Sequence, residues 1–413
     1  DTVIQERIGM FENYLDQQTV QEIRARAFVY FGFGAITKFK AIADDFRSKG
    51  IERVLVVTSG SAYKTSGAWD VVARELDAVS IGYCLYDKVR PNPDTDGIDA
   101  AAALGKEFGA QAVIGIGGGS PIDTAKSAAI LLENPGHSAE ELFEWKFAPQ
   151  RALPIVAINL THGTGSEGNR VAVASIVSKQ YKPAIACECI YPTWSIDDPD
   201  LMMTLPPKQI LYTTVDAVNH VVEAATSTCT NPLAITLARE VIALAAKYLP
   251  IAVKDPQCRN ARYHLAYAAL LGGISFDNGF LHYTHALEHP LSGARPEVTH
   301  GLGLAVLLPA VINEIAAARA DTLADILAPI APGLTPLTID RAAALVDQWL
   351  ASVGADEKLT DLGFGASDIP ALTDLVFSTP SLGALLSVAP TEAARRTVEK
   401  IFQNSLERGT FKL

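Results

Sequence analysis

The stretch AVIGIGGGSPIDTAK, residues Ala112–Lys126, decides the fold class. An apolar run, Ala112–Ile116, leads directly into three glycines and then into a helical pattern. Ser120 suits the N-cap of that helix, Pro121 its first position, and Asp123 the acidic partner of a capping box. Glycines allow a ligand to approach the backbone closely, and free N–H groups at a helix start favour an anion. The segment predicts a strand–turn–helix unit whose turn either holds a diphosphate or binds nothing.

Around this unit, the first half of the chain alternates between strand and helix patterns. The strand-like runs are Arg53–Thr58, Ser80–Tyr86, Ala112–Ile116 and Pro154–Leu160. Asp96–Phe108 carries apolar residues three and four positions apart, which is typical of a helix. Short strands separated by helices indicate a parallel sheet. Arg170–Val177 and Pro183–Ile190 could add a hairpin to that sheet.

The second half of the chain has a different pattern, without a convincing strand after about residue 200. Its helical patterns lie at Lys208–Ser227, Pro232–Tyr248, Ala261–Phe276, Ile339–Ser352 and Thr391–Leu406. We therefore predict two domains, an α/β domain at 1–200 and an all-helical domain at 201–413. Residues 1–25 predict an additional N-terminal helix.

Composition excludes several classes of function. The 413 residues include 34 Lys and Arg against 46 Asp and Glu, so the formal charge is −12 and nucleic-acid binding is not expected. Five cysteines without regular spacing argue against a secreted disulfide framework, and Cys187 and Cys189 read as packed thiols on one face of a strand. No apolar stretch is long enough to span a bilayer. We expect a soluble cytoplasmic protein without a signal peptide, which binds neither nucleic acid nor membrane.

Five of the eight histidines lie between His220 and His300. Asp216 and His220 are four residues apart on a helical pattern, so both side chains project from one face. His285 and His289 repeat this spacing, and His300 opens another apolar helix. A carboxylate in an apolar helix must be paired or bind a metal, so one carboxylate and three imidazoles predict a site for Fe²⁺ or Zn²⁺. The predicted ligands are Asp216, His220, His285 and His300.

With both motifs in hand, the chain resembles the iron-containing (group III) alcohol dehydrogenase family, and the butanol-dehydrogenase branch in particular. The resemblance rests on the order and spacing of several segments. These are RPNPDTDGID (90–99), GIGGGSPIDTAK (115–126), THGTGSEGNR (161–170), SIDDPDLMMTLPP (195–207), VDAVNHVVEA (215–224) and HALEHPLSG…THGLGLAVLLP (285–309). It implies an N-terminal α/β dinucleotide-binding domain and an all-α C-terminal metal- and substrate-binding domain, a fold shared with dehydroquinate synthase.

The resemblance also implies individual site residues. The metal ligands are the four already predicted, and His289 would lie beside the metal near the nicotinamide as the catalytic proton relay. The residues implied at the cofactor are Gly117, Gly118, Gly119, Ser120, Asp123, Thr161, Thr164 and Lys182. His162 stands where a small residue is usual, and could face the substrate or the nicotinamide. The loop before His300 is one residue longer than usual, with Thr299 replacing a common proline.

The implied reaction is reversible hydride transfer between a primary alcohol and its aldehyde, with NADP or NAD as the hydride carrier. Ser59 follows the strand at a position where NAD-preferring members often carry an acidic residue, so we expect NADP to be accepted. The family also implies a homodimer or a larger homo-oligomer. Two alternatives remain open: a metal-dependent lyase of the dehydroquinate-synthase type, and a non-catalytic dinucleotide-binding sensor.

Overall fold

The computed structural model describes residues 22–412, and the helix predicted at residues 1–25 lies, apart from its last few residues, outside them. Eight strands occupy the first half of the described chain. They are β1 (Val29–Phe31), β2 (Arg53–Thr58), β3 (Gly82–Tyr86), β4 (Ala112–Gly117), β5 (Ile155–Asn159), β6 (Val171–Val173), β7 (Ala184–Ala186) and β8 (Trp194–Asp197). Six of them form one sheet in the order β1-β8-β5-β4-β2-β3, and every neighbouring pair is parallel. The predicted α/β fold class is confirmed.

Helices cover both faces of this sheet. They are α1 (Phe39–Ser48), α2 (Ala62–Thr65), α3 (Ala68–Ala78), α4 (Thr95–Phe108), α5 (Gly119–Glu133) and α6 (Ala139–Phe143). Along β2, Val54 and Val56 face the cluster that contains α1 and α3, whereas Leu55 and Val57 face the cluster that contains α4 and α5. A strand buried on both faces loses the apolar–polar alternation, which explains why β2 reads as one continuous apolar run.

The predicted hairpin forms, but it does not join the parallel sheet. β6 and β7 pair antiparallel as a separate two-stranded sheet. Side chains of α5 cover the other edge of β6, because Lys126 donates to the carbonyl of Val171 and Asp123 accepts from the amide of Val173. The strand predicted to include Cys187 and Cys189 ends at Ala186, which is shorter than predicted, but both thiols pack against the same apolar cluster as predicted.

The second half of the described chain is helical. Its helices are α7 (Pro207–Thr226), α8 (Pro232–Lys254), α9 (Arg259–Gly279), α10 (Tyr283–Ala294), α11 (His300–Ile315), α12 (Ala320–Ile326), α13 (Ala342–Val353), α14 (Ile369–Ser378), α15 (Leu382–Ser387) and α16 (Arg395–Asn404). Helix α7 is buried along nearly its whole length. Its buried residues include the polar side chains of Asp216, His220 and Glu223.

Within residues 22–412, no single helix is long and apolar enough to cross a membrane. Helix α11 and the helical segment that follows it, which are bent by 76° relative to each other, are long and apolar enough only when taken together.

Candidate metal and cofactor site

The glycine turn between β4 and α5 packs against the loop that follows β5. A Cβ atom on Gly118 would lie 2.7 Å from Cγ2 of Thr161, and one on Gly119 would lie 2.8 Å from Cγ2 of Thr164. Gly117 has a φ of 155°, and a Cβ there would lie 2.4 Å from Cγ of Pro121. The missing side chains therefore let two chain segments and a helix N-terminus meet at the carboxyl edge of the sheet, where α/β folds bind their ligands.

The start of α5 differs from the prediction. Gly118 is the N-cap and Gly119 the first helical residue, so Ser120 lies inside the helix and Asp123 forms no capping box. Glycine occupies the cap because a larger residue would collide with the neighbouring loop. The carboxylate of Asp123 instead accepts from Ser166 Oγ at 2.6 Å and from the amide of Val173 at 3.0 Å. Burial raises the pKa of Asp123, against the effect of nearby Lys126.

Ser59 follows the end of β2 and forms an isolated antiparallel bridge with Lys88. Lys88 lines a cavity of about 300 Å³ together with Arg90, Asp94 and Thr124 of α5. The structure thus places Ser59 at the same sheet edge as the glycine turn. The neighbouring segment carries two exposed cationic side chains, Lys88 and Arg90.

Three of the predicted metal ligands approach one oxygen atom of the fourth, Asp216, and the four residues come from three helices. The distances from Oδ1 of Asp216 to the Nε2 atoms are 3.2 Å for His220, 3.5 Å for His285 and 3.9 Å for His300. Asp216 and His220 share a face of α7, and His285 lies on α10. His300 begins α11 as predicted, but its Nε2 is the farthest of the three from Asp216, and its ring also lies in a second group with Glu288 and His289 whose ligand atoms are within 4.8 Å of one another.

This cluster has the chemistry of a cation site. Oδ1 of Asp216 and Nε2 of His285 are buried, and neither has a hydrogen-bond partner among the described residues. Leaving such atoms unpaired is costly, and a divalent ion between a carboxylate and imidazoles would satisfy them. The ligand atoms of Asp216, His220 and His285 all lie within 4.8 Å of one another. The residues present therefore fit Fe²⁺ or Zn²⁺.

The predicted ligands differ in protonation: Asp216 is ionised and His220 is neutral, as a cation requires, whereas the raised pKa of His285 means that a bound cation would have to displace its proton. Burial raises the pKa of Asp216, but His220 and the other imidazoles outweigh it and hold this pKa below its ordinary range. Burial lowers the pKa of His220 to about 4, so its ring is neutral at pH 7. Burial also lowers the pKa of His285, yet Glu223 and Asp216 more than compensate and raise it to about 9.

Glu223 is a site residue that sequence reasoning missed. Its Oε2 accepts a hydrogen bond from Nδ1 of His285, and its Oε1 accepts from the backbone amides of Thr284 and His282. This arrangement orients His285 with Nε2 toward Asp216. A signal was present in the sequence, because Glu223 lies two helical turns after Asp216 and so shares its face.

Lys182 lies next to His300, one of the predicted metal ligands. Its Nζ donates to Ser292 Oγ at 2.9 Å and lies 3.4 Å from Oε2 of Glu288 and 3.3 Å from Nδ1 of His300. Glu288 is completely buried and accepts a hydrogen bond from Nδ1 of His300. The prediction put Lys182 at the cofactor and overlooked Glu288.

His289 is buried beside the cluster, with its ring centroid 6.4 Å from that of His285 and 5.8 Å from that of His300. Its Nδ1 has no hydrogen-bond partner among residues 22–412. Burial, assisted by the charge of Lys182, holds the pKa of His289 well below its usual value. The ring is therefore neutral and lies beside the predicted metal ligands.

His162 is fully buried against α7, with Nδ1 at 3.4 Å from Oγ1 of Thr214. Burial and the charge of Arg262 lower the pKa of His162 to about 3, so the ring is neutral. Its Nε2 has no partner in the described part of the chain. The structure thus places this residue in the loop after β5, without access to solvent and in contact with Thr214, which precedes Asp216 by two positions on α7.

Two family models match the chain. The model described as iron-containing alcohol dehydrogenase matches residues 27–199, and that of the Fe-containing alcohol dehydrogenase family, C-terminal, matches residues 210–406. Together they cover both halves of the described structure. The predicted family resemblance is confirmed.

Individual relatives agree with the family models. A long-chain primary alcohol dehydrogenase of Thermoanaerobacter ethanolicus is 52% identical over 398 residues, which cover 96% of this chain and 100% of the relative. A 1,3-propanediol dehydrogenase of Klebsiella pneumoniae is 32% identical over 86% of this chain and 93% of its own length. The solved structure of NADH-dependent butanol dehydrogenase A from Thermotoga maritima has a TM-score of 0.86 and 26% identity, and covers 94% of this chain and 99% of that chain.

Proposed function

The chain belongs to the iron-containing alcohol dehydrogenase family, and we propose that it interconverts long-chain primary alcohols and their aldehydes by hydride transfer to and from NAD(P). The family is shown by matches over both halves of the chain. The long-chain substrate class is supported by the relative that shares 52% identity over its entire length. These matches favour a dehydrogenase over a lyase or a non-catalytic sensor.

The observation that carries the proposal is the convergence of three imidazole Nε2 atoms on Oδ1 of Asp216. We propose that Asp216, His220, His285 and His300 hold the divalent ion. When bound, this ion supplies a Lewis acid for the substrate oxygen. The protein contributes the rest by orienting the reactants and excluding water.

We propose that His289 handles the proton of the alcohol. Its ring is neutral, buried and adjacent to the cluster, with Nδ1 unpaired among the described residues. A neutral imidazole can accept a proton and return it in the opposite direction of the reaction.

We propose that the turn Gly117–Ser120 binds the cofactor diphosphate, with Thr161 and Thr164 beside it. The free N–H groups at the start of α5 support this assignment. Ser59 is uncharged at the position after β2, and its backbone pairs with that of Lys88, so we propose that NADP is accepted. Asp123 and Lys182 would act indirectly, because their polar atoms are already bonded within the protein.

We also propose the division into domains at 1–200 and 201–413, a cytoplasmic location and a homo-oligomeric state. The last strand ends at Asp197 and α7 begins at Pro207, which supports the boundary. All five cysteines are free, which supports a reducing compartment. The oligomeric state is supported by the family resemblance alone.

The test is a panel of primary alcohols of increasing chain length on protein reconstituted anaerobically with Fe²⁺ or Zn²⁺. We expect net NAD(P)H formation that rises in kcat/KM with chain length and disappears on chelation. A lyase would produce no net NAD(P)H, and a sensor would give no turnover with any alcohol or aldehyde.

A further inference from the structure

The carboxylate of Glu288 lies behind His300, on the side opposite to Asp216. Its Oε2 accepts from Nδ1 of His300, while Nε2 of the same ring points toward Oδ1 of Asp216 at 3.9 Å. Glu288 itself lies on α10, one turn after His285, so one helix carries both a predicted ligand and the partner of another ligand.

Two groups of opposite character compete for Nδ1 of His300. Lys182, with Nζ at 3.3 Å, can only donate a hydrogen bond, whereas the ionised carboxylate of Glu288 can only accept one. A neutral imidazole carries one proton. If Glu288 draws that proton to Nδ1, the lone pair of Nε2 is free for a metal. If Nδ1 instead accepted from Lys182, the proton would reside on Nε2 and block metal binding.

The protein contains a dedicated space for this carboxylate. A Cβ atom on Gly303 would lie 2.8 Å from Cγ of Glu288 and 3.2 Å from its Oε1, so the glycine of α11 makes room for it. Lys182, itself buried, lies 3.4 Å away and is held by Ser292. A charged group without access to water requires such a partner. The fold therefore accommodates Glu288 as a charged carboxylate paired with Lys182.

We propose that Glu288, paired with Lys182, is a positioning residue that selects the tautomer of His300 whose Nε2 binds the metal. This inference rests on the proposed function, because it assumes the ligand set that includes Asp216 and His300. Glu223 holds His285 in the same way. His300 differs because a cation also contacts its Nδ1, so the carboxylate has a competitor to overcome.

The substitution Glu288→Gln tests the proposal, because it keeps the shape but allows an amide N–H to donate to Nδ1 of His300. Metal affinity is measured by titrating apo-protein with Zn²⁺ against a chromophoric chelator. We expect affinity to fall by about 10-fold to 100-fold, the range seen when a hydrogen-bond partner of a ligand is lost. The matched control is Asp325→Asn, which neutralises a carboxylate of α12 that accepts from Arg239 of α8 at 2.6 Å and lies outside the predicted ligand set. Wild-type affinity in Glu288→Gln would overturn the proposal.

A double-mutant cycle separates positioning from general destabilisation. In a His300→Ala background, Glu288→Gln should cause no further loss of Zn²⁺ affinity, because the ring that it orients is gone. Equal losses in both backgrounds would show that Glu288 acts elsewhere and would overturn the proposal. If Glu288→Gln does not fold, Gly303→Ala provides the same test by displacing the carboxylate, and it should weaken Zn²⁺ binding in the same direction.

One further variant distinguishes the two levels of inference. Asp216→Ala should abolish tight Zn²⁺ binding. If it does not, the proposed metal site fails, and the role of Glu288 fails with it. If Asp216→Ala loses the ion while Glu288→Gln and Gly303→Ala bind it normally, only the role of Glu288 is wrong.

Discussion

The glycine turn and the histidine cluster, which we propose as the cofactor and metal sites, are built in different ways. Around Gly117–Gly119 the protein withholds side chains, so that backbone segments approach one another and a helix N-terminus stays open. Around Asp216 it supplies buried polar side chains from three helices. Two of the imidazoles each donate a hydrogen bond to a carboxylate of their own, His285 to Glu223 and His300 to Glu288. The first site should be damaged by adding atoms and the second by removing them.

The largest effect is expected from removing a ligand. Asp216→Ala deletes the oxygen on which the three imidazoles converge and should abolish tight metal binding. Activity should fall by about 10³-fold, since Lewis-acid stabilisation is worth several kcal/mol and each 1.36 kcal/mol is tenfold in rate. Metal analysis and kcat/KM on the same preparation provide the measurement. Retention of both would show that the cluster is only a hydrogen-bonded network.

Removing His289 should separate chemistry from metal binding. His289→Ala should lower kcat by about 100-fold, in the range of general acid–base catalysis, while leaving metal content close to that of the wild type. Steady-state kinetics and metal analysis on one sample test both statements. If the metal is lost as well, His289 supports the cluster and does not relay a proton.

Adding one methyl group should damage the other site. In Gly118→Ala the new Cβ would lie 2.7 Å from Cγ2 of Thr161, so the loop must move. We expect KM for the cofactor to rise by about tenfold, which corresponds to overpacking of 1–3 kcal/mol. Gly383→Ala is the control, because no heavy atom lies within 4 Å of a Cβ at that position. Equal KM values in both variants would show that the turn does not contact the cofactor.

The smallest effect should come from a charge at the edge of the cofactor site. Ser59→Asp places a carboxylate at the end of β2, where it would repel a 2′-phosphate. We expect the ratio of kcat/KM for NADP over NAD to fall by about fivefold, as for an exposed pair of charges worth about 1 kcal/mol. Increasing ionic strength should reduce this change. An unchanged ratio would place the adenosine ribose elsewhere.

Local patterns predicted what depends on neighbours in the chain. The four predicted strand runs overlap β2 to β5, and the helical patterns overlap α4, α7 to α9, α13 and α16. Two sheet strands, β1 and β8, escaped prediction because three or four residues carry too little periodicity. The capping assignment of Ser120 failed for another reason. The loop carrying Thr161 decides how α5 begins, and that loop is about 40 residues away in sequence.

The sequence by itself determined the fold class, the family and the shared face of Asp216 and His220, because a spacing of four residues in a helix places both on one side whatever surrounds them. Only the tertiary structure decided which side chains surround another predicted ligand, His300. Lys182 meets Glu288 across 106 residues and His300 across 118. No periodicity connects such distant positions. Packing of the two halves brings them together, because buried polar groups must find partners within the fold.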